Sequence, residues 1–113
     1  GDVEKSLRLS PLDPLLYGMF GTRALSFLHE GDTAAAAHWA DRAARAPAAH
    51  YLIGMIAAAT NTIHGDESKA RSWADRVRGR RPDATRTQFM RSFPFRNAAI
   101  RQQIDSALRR NGF

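Results

Sequence analysis

Cysteine is absent from this 113-residue chain, which excludes disulfides and thiolate metal sites. That fits a reducing compartment, so a cytoplasmic location is expected. Long apolar runs are missing too. The most apolar window, residues 52–59, covers about two helical turns, where a membrane span needs roughly eighteen or more residues. No secretory signal opens the chain, because residues 1–5 are polar and acidic. Gly1 in place of Met reads as a tag remnant or an excised fragment. Lysine is scarce: arginine supplies fifteen of the seventeen basic residues.

The motifs of catalysis are likewise missing. Four histidines stand at 29, 38, 50 and 64, and no two have the i, i+4 spacing around a glutamate that builds a zinc site on one helix. His29 and His64 fall instead where a helix should end, a place that favours a cation against the negative end of the helix dipole. No Gly-x-Ser-x-Gly elbow occurs. Gly18 and Gly21 lie in a predicted helix without the preceding strand of a phosphate-binding turn. No catalytic residue, metal site or cofactor is expected, and the chain is read as a non-enzyme.

What is present is repetition. Trp39-Ala40-Asp41-Arg42 returns as Trp73-Ala74-Asp75-Arg76, thirty-four residues later. The same shift lays Tyr17 on Tyr51, Ala24 on Ala58, Ala36 on Ala70 and Gly31-Asp32 on Gly65-Asp66. A 34-residue period is the length of a tetratricopeptide helix-turn-helix. The expected fold is therefore all-α, a right-handed tetratricopeptide (TPR) solenoid of two full repeats with partial caps. Residues 1–13 are assigned to the tail of a preceding repeat, 14–47 to repeat 1, 48–82 to repeat 2 and 83–113 to C-terminal capping helices.

Turn residues place the helices. Asp13-Pro14 is an N-cap followed by proline at the first helical position, and that helix should run to His29. Gly31 ends it, and Asp32 caps a second helix from Thr33 to Arg45. Pro47 should open a third, ending near His64, and Gly65-Asp66 repeats the turn. The fourth is expected to stop at Arg78 before Gly79 and Pro82. Asp83 should cap a short helix to Arg91, with a turn at 92–95, and Asn97 a last one to Arg110. Ala36, Ala40 and Ala43 form a small-residue stripe, matched by Ala70, Ala74 and Val77, that lets helices approach closely. Trp39 and Trp73 are read as wedges between hairpins. In the second repeat Gly54 and Asn61 replace Phe20 and Phe27. That hairpin should be looser, or use Asn61 for a contact.

Two surfaces are candidates for function. Matched by its resemblance to tetratricopeptide arrays, the chain would carry Gly21, Leu25, Leu28 and His29 from repeat 1 and Met55, Ala59, Thr62 and Ile63 from repeat 2 on a concave face. Such a face suits an apolar or amphipathic peptide, unless the chain's own caps fill it. The second surface is basic. Residues 64–113 hold twelve Lys/Arg against five Asp/Glu, whereas 1–63 hold five against six. Arg76, Arg78, Arg80, Arg81, Arg86 and Arg91 form this patch, read either as a solvated face or as a weak, salt-dependent and non-specific nucleic-acid contact.

The motif at residues 9–14, the Trp-Ala-Asp-Arg helices, Phe93-Pro94-Phe95-Arg96 and residues 108–113 carry a further resemblance. Together they resemble the C-terminal tetratricopeptide region of bacterial class III adenylate cyclase-like proteins, or of winged-helix transcriptional regulators. The resemblance implies a protein-interaction or oligomerisation module of a larger signalling protein, with a protein or peptide partner, self-association included, and no membrane. The alternative is a basic accessory module supporting nucleic-acid binding by a neighbouring domain. A small-molecule sensor is a third class, for which the sequence shows no polar constellation.

Overall fold

The computed structural model describes the backbone of residues 14–46, 49–93 and 97–113, and the side chains of these from residue 21 onward. Among the described residues there are six helices and no strand. They are α1 (Pro14–His29), α2 (Thr33–Arg45), α3 (Tyr51–His64), α4 (Glu67–Arg80), α5 (Arg86–Ser92) and α6 (Ala98–Arg110). The readings at residues 1–13 and at Pro47, Pro94, Phe95 and Arg96 lie outside the described residues.

The repeated Gly-Asp dipeptide produces the same turn twice. Gly31 and Gly65 adopt φ of 85° and 98°, the left-handed conformation that ends a helix and that residues with a Cβ avoid. The following aspartates then reach back and forward at once. Asp32 N–H donates to Phe27 O and Asp66 N–H to Asn61 O, each at 2.9 Å, closing the outgoing helix. Their carboxylates accept from Ala35 N and Lys69 N, each at 3.0 Å, capping the incoming helix. Each dipeptide thus satisfies orphaned backbone groups on both sides of a tight hairpin.

Three expected boundaries move. Helix α3 begins at Tyr51, with His50 as its N-cap: the imidazole Nδ1 accepts from Leu52 N at 3.2 Å. Helix α4 runs through Gly79 to Arg80, so this glycine does not stop it. Helix α5 is capped by Thr85 rather than Asp83. Thr85 and Gln88 bond each other's backbone in a capping box, whereas Asp83 pairs with Arg81.

Helices α1 and α2 form one antiparallel hairpin and α3 and α4 another; α2 lies against α3, and α1 also reaches α3. Helix α6 packs on α3, with the short α5 leaning on α6. The extents, 36 × 31 × 26 Å, are those of a compact globule. The core is rich in alanine: Ala24, Ala36, Ala40, Ala43, Ala58 and Ala74 are all fully buried. Small side chains let these helices approach, and Met55, Ile56, Phe89, Ile104 and Leu108 fill the remaining space.

The closest approach is between α3 and α4. A Cβ added at Gly54 would lie 2.7 Å from Val77 Cγ2, inside van der Waals contact. The substitution of Gly54 for the phenylalanine of repeat 1 therefore makes the second hairpin tight, not loose. Gly54→Ala should cost about 1 kcal/mol or more, because valine is stiff at χ1 and overpacking outweighs alanine's helix preference. In a Val77→Ala background the same change should become stabilising, since among the described residues only the Val77 methyl stands in the way. Urea unfolding of the four proteins measures both signs.

Candidate binding site

The eight residues expected on a concave face do not form one exposed surface. Met55 and Ala59 are fully buried, Gly21 and Leu28 are buried, and Thr62 is buried and accepts from Asn111 Nδ2 at 2.7 Å. Leu25 and Ile63 are half-buried, and His29 is exposed. Helix α6 occupies much of the space beside α3. What remains open there is a cleft of about 580 Å³ lined by Thr62 and Ile63 of α3 and by Ala99, Gln102, Gln103, Ser106, Ala107 and Arg110 of α6.

The six arginines of the basic region also diverge. Arg78 donates to Asn111 O, pairs with Asp75 at 2.9 Å and stacks 5.2 Å from the Phe113 ring centroid. Arg86 donates to Phe113 O and to Asp105, both at 2.9 Å. These two side chains hold the C-terminal residues against α4 and α5 rather than facing a phosphate backbone. Arg81 pairs with Asp83 at 3.2 Å and lies 4.5 Å from the Tyr51 ring centroid. Arg76 covers the Trp73 ring at 5.0 Å, Arg80 donates to Ala49 O at 2.9 Å, and Arg91 is exposed on α5.

A buried polar cluster joins the two hairpins. Asp41 of α2 is only 4% exposed. Its Oδ1 accepts from Asn61 Nδ2 of α3 and from Trp73 Nε1 of α4, both at 2.9 Å, and its Oδ2 accepts from Lys69 Nζ at 3.1 Å. Asn61 also donates to Ala57 O at 2.8 Å, so both protons of its amide are used. The repeat signal alone does not locate this cluster, because the matching Asp75 is 67% exposed and pairs only along its own helix. The one pointer in the sequence is Asn61, the polar residue at the position Phe27 holds in the first repeat.

Trp73, fixed by Asp41, forms one wall of a second and more enclosed cavity of about 430 Å³. Among the described residues its other walls are Ala44 and Ala46 from α2 and its end, Ala49, His50, Tyr51 and Gly54 at the start of α3, and Arg76, Val77, Gly79 and Arg80 of α4. His50 is held below the ordinary imidazole range, first by desolvation and then by repulsion from Arg81 and Arg80. Its cap bond acts in the same direction, since a protonated Nδ1 cannot accept from Leu52 N. The neutral ring therefore carries its proton on Nε2.

The folded state should thus bind fewer protons at His50 than the unfolded chain, whose imidazole titrates near 6.5. The stability contributed by neutral His50 is complete above 6.5 and is lost as pH falls below it toward the folded value. An NMR titration should place the His50 midpoint below 6.5. His50→Asn, which keeps a capping acceptor, should lose less stability than the parent between neutral and mildly acidic pH.

Among the described residues no helix is long and apolar enough to cross a membrane, and no group of three or more His, Asp or Glu could hold a metal ion. No family model, no curated protein and no solved structure matches the chain.

Proposed function

We propose that this chain is a tetratricopeptide-type hairpin pair whose work is protein binding or self-association, for a larger bacterial signalling or regulatory protein. The observation that carries the reading is the recurrence of one hairpin turn at a 34-residue interval, with the same glycine conformation, helix closure and aspartate cap. Arrays of this type act by presenting helix faces to other polypeptides. The contact surface on this reading is the cleft between α3 and α6. It mixes apolar Ile63, Ala99 and Ala107 with Gln102, Gln103 and Arg110, and it suits an amphipathic segment. The engaged arginines Arg78, Arg81 and Arg86 give the nucleic-acid alternative little support.

Light scattering over a range of protein concentrations, at low and high salt, tests the reading. A dimer insensitive to salt, returned to monomer by Ile63→Arg, supports it through apolar contact across the cleft. The contradicting result is a monomer at every concentration that also yields no discrete adduct from a photo-crosslinking residue at position 63 in cells.

A further inference from the structure

The cavity beside Trp73 carries chemistry that the interaction reading leaves unused. It is formed by one chain, at the seam where the end of α2, the start of α3 and the last turns of α4 meet. At about 430 Å³ it falls in the size range of small-molecule sites. Small residues make room for a guest: Ala44, Ala46, Ala49, Gly54 and Gly79 all line it. Flat side chains also line the space: Trp73, and the His50–Tyr51 pair with 4.6 Å between ring centroids.

The charged side chains around this apolar space are all cationic. Arg76 and Arg80 line it directly, and Arg81 lies beside them on the Tyr51 ring. His50 uses Nδ1 as an acceptor within its own helix cap, which leaves Nε2–H as the donor. No carboxylate lines the cavity among the described residues. The nearby acids are committed elsewhere, Asp41 to its buried cluster, Asp75 to Arg78 and Asp83 to Arg81. A cationic guest has no counter-charge here, and the ring faces already carry guanidinium groups from Arg76 and Arg81. A bare inorganic anion would leave the apolar walls unused.

We propose that this cavity binds a small aromatic carboxylate, with the flat ring in the apolar space lined by Trp73, Val77 and the small residues and the carboxylate at Arg76 and Arg80. The site is preorganised. Trp73 is held by Asp41 through its indole N–H at 2.9 Å, and Arg80 is held by Ala49 O at 2.9 Å, with further guanidinium protons left to donate. Fixed walls and fixed donors reduce the ordering cost of binding, and a guanidinium recognises a carboxylate through paired, charge-assisted bonds.

Amide NMR spectra of the chain, titrated with indole-3-acetate, test the assignment. The Gly54 and Gly79 resonances should shift and saturate. Indole-3-acetamide, tryptamine and inorganic phosphate should each bind at least about tenfold more weakly, because each lacks either the carboxylate or the ring. Arg76→Gln, at an exposed position, should weaken indole-3-acetate by about tenfold with the rest of the spectrum unchanged. Ala44→Leu should abolish binding by filling the cavity. The proposal is overturned if Gly54 and Gly79 do not shift, if the amide or phosphate binds as tightly as the acid, or if Arg76→Gln has no effect.

Discussion

A carboxylate buried where two hairpins meet is the constraint on which the rest of this fold depends. Removing Asp41 from water is unfavourable unless its oxygens are answered, and they are, by donors from α3 and α4. Apolar packing tolerates small slips between helices, but hydrogen bonds at 2.9 Å to an amide and an indole do not. The cluster therefore fixes how the second hairpin sits on the first. The alanine stripe makes the approach possible, and Asp41 selects one geometry from those that alanines alone would allow.

Several features follow from that placement. With its indole N–H tied to Asp41, Trp73 is presented at one angle and becomes a cavity wall. Val77, one turn further along α4, is brought onto Gly54, where no side chain would fit. The far side of α3 is left to α6, whose Ile104 and Leu108 are fully buried, and a cleft remains along their shared edge. The two halves of the repeat have become different objects. Asp41 is enclosed because another hairpin follows it, whereas Asp75, at the matching place in an identical tetrapeptide, faces solvent and pairs with Arg78 on its own helix.

Local chemistry was the legible part of the sequence. The Gly-Asp turns could be read because every bond they make lies within a few residues, and Asn97 caps α6 through its own side chain in the same way. The start of α3 was misread because a histidine ring does the work usually left to a serine or aspartate. Gly79 reads as a stop in the sequence, but its backbone does not turn left-handed and the helix runs through it. The candidate surfaces were hidden for a different reason. Long arginine side chains take their direction from acceptors distant in sequence, such as Phe113 O for Arg86 and Ala49 O for Arg80. A basic run in the sequence thus became separate structural ties, and a cavity lined from three helices left no signature in any one of them.

The most direct test of this account is a double-mutant cycle on unfolding free energy with Asp41→Ala and Asn61→Ala, and Asp75→Ala as the matched control. A clamp between hairpins predicts a large loss for Asp41→Ala, about 3 kcal/mol, and a coupling energy with Asn61 above about 1 kcal/mol. Asp75→Ala should change stability by no more than about 0.5 kcal/mol. Additive losses at 41 and 61, or equal losses at 41 and 75, would contradict the claim that this carboxylate holds the two hairpins in register.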